Sequence, residues 1–138
     1  RKKTLLRWNK YTFSTWIKKS FRREDRSYTV SAEGELRTER DYQLKCNEVL
    51  QGIVEHTLPD GTRVDILTDD LAIEVDFARK WYEAVGQAAH YARLTQKKPA
   101  ILLIVKEEKE EKYVTAALEA CKVTQVNGYY IIVLVYRG

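Results

Sequence analysis

Two acidic side chains, Asp65 and Glu74, stand where a tight hairpin would bring them together. In Val64-Asp65-Ile66 an extended backbone sends the apolar residues to one face and Asp65 to the other. In Ile73-Glu74-Val75-Asp76-Phe77 the apolar residues share one face, and Glu74 and Asp76 the opposite one. A short loop at Asp69-Asp70 pairs Thr68 with Leu71. That register sets Asp65 directly across from Glu74, with their Cβ atoms about 5 Å apart. Like charges so placed destabilise a hairpin, and a divalent cation, which takes carboxylate oxygens, removes the repulsion. The alternative account of the pair is a solvated polar face of an antiparallel sheet. The same register puts Arg63 opposite Asp76 as an ordinary cross-strand ion pair.

The segment that follows changes period. Trp81, Val85, Ala88 and Ala92 recur every three to four residues, which predicts a helix over 80–95 with a packed apolar stripe. Lys80 and Gln87 lie seven residues apart on one face of it. Packed over the sheet beside the carboxylates, they can reach a phosphate or an attacking water; spacing alone equally allows a surface pair of Lys80 with Glu83. His56 and His90 have no partner spacing for a zinc site. Cys46 and Cys121 are too few for a disulfide framework and read as buried thiols.

The remaining elements must hold these residues in place. Thr38, followed by Glu39 and Asp41, starts a helix that runs to about Leu50, with Gly52 as its stop. Strands follow at 53–58, 63–67 and 72–77, the first two joined by a turn at Pro59-Asp60-Gly61. A two-residue turn there sets His56 opposite Asp65; a bulged three-residue turn sets Glu55 there. A nearly all-apolar strand at 99–105 reads as central, then a helix over 107–126 ended by Asn127-Gly128, then a strand over 129–136. From residue 38 the order is αβββαβαβ, one α/β domain over 38–138. Residues 1–37 read as a basic helix over 5–19 and a polar linker over 22–37.

Charge is uneven along the 138 residues. The first 26 carry ten Lys or Arg against two acids, and the rest fourteen against eighteen, for a net +4. The basic arm is suited to phosphates or anionic lipid. Trp8, Tyr11, Phe13 and Trp16 within it could stack on bases or pack on the domain. No apolar run approaches the roughly 20 residues of a membrane-spanning helix. No methionine is present, which points to a processed or excised chain, either cytoplasmic or exported.

The stretch Asp60-Gly61-Thr62-Arg63-Val64-Asp65, with Glu74-Val75-Asp76, Lys80-Trp81 and Gly86-Gln87, resembles the PD-(D/E)XK nuclease superfamily. Its members include restriction endonucleases and archaeal Holliday-junction resolvases. The resemblance covers residues 39–105 and implies a restriction-endonuclease-like αβββαβ core, a mixed central sheet flanked by helices, here extended by a C-terminal helix and strand. It implies Asp65, Glu74 and the Val75 carbonyl as ligands of Mg²⁺ or Mn²⁺, with Glu39 as an added acidic ligand and Gln87 as the helix glutamine. Glu55 becomes a secondary ligand or water-orienting acid. The family's usual Lys two residues after the Glu is Asp76 here, so Lys80 is expected to supply the ammonium from the helix start. The implied activity is metal-dependent phosphodiester hydrolysis of nucleic acid, DNA ahead of RNA, by a chain that could form a homodimer. The alternatives are a binding module that does not cut and a nuclease toxin domain of a larger secreted protein.

Overall fold

Residues 100–105 and 131–136 are apolar almost without interruption, and each run is a strand covered on both faces. The computed structural model describes Ser27–Val30 and residues 36–137; the helix expected over 5–19, with its aromatic residues, lies outside the described residues. In chain order the elements are β1 (Ser27–Val30), α1 (Glu39–Leu50), β2 (Ile53–Thr57), β3 (Arg63–Leu67), β4 (Leu71–Phe77), a 3₁₀ turn (Ala78–Lys80), α2 (Trp81–Thr95), β5 (Lys98–Val105), a second 3₁₀ turn (Glu108–Glu110), α3 (Glu111–Cys121), β6 (Gln125–Val126), β7 (Tyr129–Tyr130) and β8 (Ile132–Arg137). The large sheet is mixed, in the order β1-β8-β5-β4-β3-β2. β4, β5, β8 and β1 run parallel, while β2, β3 and β4 form an antiparallel meander.

The period-two alternation of the central strands sorts the core into two layers. Tyr42, Cys46 and Leu50 of α1 pack against Ile73, Val75, Leu102, Ile104, Ile132 and Leu134 on one face. Ala84 and Ala88 of α2, with Val114, Ala117 and Cys121 of α3, pack against Ile101, Leu103, Val133 and Val135 on the other. Cys46 and Cys121 are thus free, buried and in different layers. α1 begins as its sequence predicts, with Thr38 and Asp41 forming a reciprocal capping box.

Four local readings change. Ser27–Val30, inside the segment read as a linker, is an edge strand in parallel register with β8. The helix read to residue 126 ends at Cys121, because Asn127-Gly128 is a hairpin turn and not a helix stop. Both residues have positive φ (57° and 82°), the conformation Asn-Gly favours in a two-residue hairpin, and the turn joins β6 to β7. The strand read over 129–136 therefore divides into β7 and β8. Gly52 is needed for close approach rather than for its φ: a Cβ there would lie 2.7 Å from Ile66 Cγ2 and from the Leu67 carbonyl oxygen. The left-handed position after α1 belongs to Gln51, at φ 57°.

The buried stripe of α2 is turned by one residue from the expected one. Ala84, Ala88, Tyr91 and Ala92 are buried, while Trp81 and Val85 are half-buried. Small side chains let the helix sit close to the sheet, and the turn brings Gln87 and Tyr91 over β3 and β4.

Candidate functional site

β3 and β4 meet in the expected register, Ile66 opposite Ile73 and Leu67 opposite Ala72, but the pairing stops there. Beyond it β3 stays with β2, through Val64 to His56 and Arg63 to Thr57. The gap is bridged by a side chain: Asp65 Oδ2 accepts the Val75 N–H at 2.8 Å. In an extended strand a residue's N–H and C=O leave on the same side, so the Val75 carbonyl also faces β3.

The cause of the divergence lies on β2. Val54 pairs with Ile66 and His56 with Val64, but Glu55 between them has φ 53° and no ladder partner. The two strands are joined by a three-residue turn, with Leu58 N–H to the Thr62 carbonyl at 2.7 Å and Gly61 at φ 90°. That turn puts Glu55, not His56, at the level of Asp65. The local kink also breaks the simple alternation expected of β3. Val64 packs with Ala72 and Tyr91 under α2, whereas Ile66 packs with Ile73 and Val75 under α1. Asp60 at the turn is clasped to α2, its Oδ2 2.8 Å from His90 Nε2. Thr62 and His90 hold the Asp60 carboxyl down at about 2.

The expected ion pair between Arg63 and Asp76 does not form, because the strands have separated before they reach that level. Arg63 Nη1 instead donates to Glu55 Oε1 at 3.1 Å, and Arg40 Nη1 donates to Glu55 Oε2. Asp76 is buried beside Lys80, whose ammonium lies 3.6 Å from it and 3.2 Å from Glu39. Lys80 thus pairs with these two acids, not with Glu83. Burial, then a hydrogen bond to Glu39 and its charge, push Asp76 up to about 7.

Among the described residues no cation pairs in this way with Asp65 or Glu74. Glu74 is only 7% exposed; among the described residues its Oε1 has no hydrogen-bond partner, while its carboxyl group as a whole shares a hydrogen bond with that of Asp65. Burial, followed by the Asp65 charge, pushes Glu74 up to about 10, so without a cation the pair retains a proton. Burial also raises Asp65, opposed by the Val75 N–H. A buried, unpartnered carboxylate oxygen beside a second carboxylate fits a hard divalent cation, which would replace the shared proton. Among the described residues no group of three or more His, Cys, Asp or Glu side chains is drawn together as a preformed cage, so further ligands would be backbone or solvent.

These residues border a cleft of about 360 Å³ lined by Glu55, Gly61, Thr62, Arg63, Asp65, Glu74, Gln87 and Tyr91. Gln87 lines the same cleft as the two carboxylates. Glu39 and Lys80 do not line the cleft and form an adjoining cluster with Asp76. Glu39 remains close enough for its charge to raise both Asp65 and Glu74. Sequence reasoning missed Tyr91 and Arg40. Tyr91 lies four residues after Gln87, one turn along the same face. Nothing in the sequence ties Arg40 to Glu55.

The chain is a mixed α/β protein with a mixed sheet between helices. No protein-family model matches it, and neither does any curated protein or solved structure. Among the described residues no helix is long and apolar enough to cross a membrane.

Proposed function

We propose that this chain is a metal-dependent phosphodiesterase acting on nucleic acid, DNA ahead of RNA, built on a restriction-endonuclease-like core. The observation that carries this is the Asp65–Glu74 pair: a buried carboxylate with an unpartnered oxygen, beside a second one fixed by backbone, at the break between two strands. The element order from α1 to β5, αβββαβ, supports the fold reading.

Asp65, Glu74 and the Val75 carbonyl would hold Mg²⁺ or Mn²⁺. When bound, such an ion supplies Lewis acidity toward a phosphate oxygen and lowers the pKa of an attacking water. Asp65 is held by the Val75 N–H, which fixes its carboxylate beside that of Glu74. Gln87 offers an amide at the exposed rim, able to orient a water or a phosphate oxygen. Asp76, at the position where the resembled family has Lys, helps anchor the Lys80 ammonium, and with Glu39 holds it in the cluster adjoining the cleft. Its role is to offset negative charge that develops on the phosphate.

A second reading, nucleic-acid binding without cleavage, is favoured by Lys80 standing outside the cleft with both nearby acids engaged. One experiment separates the two. Plasmid and branched DNA are incubated with wild type, Asp65→Ala and Glu74→Ala in Mg²⁺ or Mn²⁺. Hydrolysis by wild type and none by either variant is expected. Cleavage that survives both substitutions ends the assignment; a gel shift without product favours the binding module.

A further inference from the structure

Glu55 is the most conspicuous residue at this cleft that the hydrolytic scheme leaves without a task. It adopts a left-handed φ of 53° in the middle of a strand, a conformation that disfavours a non-glycine residue. Its two carboxylate oxygens are both engaged, one by Arg40 from α1 and one by Arg63 from β3. The buried Gln43 amide lies 3.5 Å from Oε2 as well. A carboxylate held by two guanidiniums is poorly placed to bind a cation, but it fixes those guanidiniums firmly.

Each arginine gives only one Nη1 donor to Glu55, although a guanidinium carries five N–H groups in a planar fork. The other donors of both make no hydrogen bond among the described residues. The two side chains are 57% and 63% exposed, and Arg63 lines the cleft that holds Asp65 and Glu74. Two arginines around one acid leave a net positive charge at the mouth of an otherwise acidic pocket. Phosphate is the ligand such forks match in shape and charge.

We propose that Arg40 and Arg63 form a phosphate clamp at the rim of the cleft, and that Glu55 is the positioning residue that presets it. The ligand is a backbone phosphate of the nucleic acid, one that flanks the scissile bond. This rests on the nucleic-acid reading above and adds to it a binding subsite. The strained backbone at Glu55 serves the clamp, because it turns the carboxylate to where α1 and β3 can both reach it.

Simple electrostatics and a preset clamp disagree about Glu55. Removing an acid beside a polyanion site should tighten binding if only net charge matters. Removing the carboxylate that orders two arginines should weaken it. The test measures the affinity of the full chain for a short fluorescein-labelled DNA duplex in Ca²⁺ over a series of salt concentrations. Wild type is compared with Arg40→Ala, Arg63→Ala, Glu55→Ala and Glu55→Gln, each checked for an unchanged thermal melt. Each arginine variant is expected to lower the slope of log K against log salt by about 0.9, the value for one lost phosphate contact. Glu55→Ala is expected to bind several-fold more weakly, and Glu55→Gln, which keeps one acceptor, to fall between it and wild type. Tighter binding by Glu55→Ala, or unchanged slopes in both arginine variants, overturns the clamp while leaving the hydrolytic assignment intact. Absence of duplex binding by wild type overturns both.

Discussion

Seven residues of β4 pair with β5 in unbroken parallel register, from Leu71 opposite Lys98 to Phe77 opposite Ile104, whereas only two pair with β3. The same strand therefore has one edge that is all ladder and one that is mostly open. On the β5 side the ladder is unbroken and the β5 side chains from Pro99 to Val105 are apolar, so the region supplies stability. On the β3 side the Val75 N–H goes to a carboxylate, Glu74 keeps an oxygen without a partner, and Glu55 sits in strained backbone. The difference teaches where the proposed site lies: where regular pairing fails, not where it succeeds. The regular side holds the open one in place.

The sharpest way to break that division is to substitute once on each side. Asp65→Ala and Glu74→Ala are expected to reduce metal-dependent cleavage to the buffer background while the chain still unfolds cooperatively, as read by product gels and circular dichroism. Leu102→Ala, in the fully buried middle of β5, leaves the site chemistry intact but removes core volume. It is expected to destabilise by about 2–5 kcal/mol, measured by urea denaturation. If Glu74→Ala proved as damaging to stability as Leu102→Ala, the open edge would be structural after all.

The next effect is one of pH. Burial, and then the neighbouring Asp65 charge, push the Glu74 carboxyl from its ordinary 4.5 up to about 10. For a group raised in this way, the folded state binds the proton more tightly than the unfolded state does. Its stabilising contribution is present in full below 4.5 and is lost as pH rises toward about 10. Metal-free protein should therefore melt at progressively lower temperature across that range. Glu74→Gln, which cannot ionise, should show a shallower decline while lacking hydrolytic activity. Added Mg²⁺ should restore the wild-type melting temperature most at the alkaline end, because the cation replaces the shared proton. A wild-type melting temperature that does not fall with pH in chelator would contradict the buried shared proton.

The two edges of β4 also differ in how far they can be read from sequence. Apolar runs at 100–105 and 131–136 mark the central strands directly, and Thr38 with Asp41 marks the start of α1. The register that sets Asp65 near Glu74 follows from the loop at Asp69-Asp70, since a register error would invert both faces. What sequence does not carry is where the ladder ends. The expected Arg63–Asp76 pair assumes β3 and β4 stay together, and nothing in the local residue types says that Glu55 will adopt a left-handed φ. The partners of Glu39, Asp76 and Lys80 come from three elements brought together by packing, so their grouping is tertiary. Asn127-Gly128 is a recognisable turn signal, but the helical period running up to it makes the pair read as a helix stop and hides the hairpin. Its side chain then serves α2: Asn127 Nδ2 donates to the Ala92 carbonyl at 2.8 Å.

The smallest effects expected lie at the junction of α1 and β2, where two neighbouring residues follow opposite rules. Gly52→Ala adds a methyl group against Leu67 backbone, which cannot move aside without disturbing β3, and should destabilise by about 1–3 kcal/mol. Gln51 has φ 57° after the last turn of α1 and needs no side chain there, so Gln51→Gly should stabilise by about 1 kcal/mol. Both are measured by thermal melts. The pair sharpens the comparison because Glu55, four residues on, has nearly the same φ as Gln51. If strain alone governed these positions, Glu55→Gly would stabilise as Gln51→Gly does. Because the Glu55 carboxylate joins Arg40 on α1 to Arg63 on β3, its removal should offset the relief of strain and leave the melting temperature nearly unchanged. A gain at Glu55 equal to that at Gln51 would mean that the arginines hold nothing together.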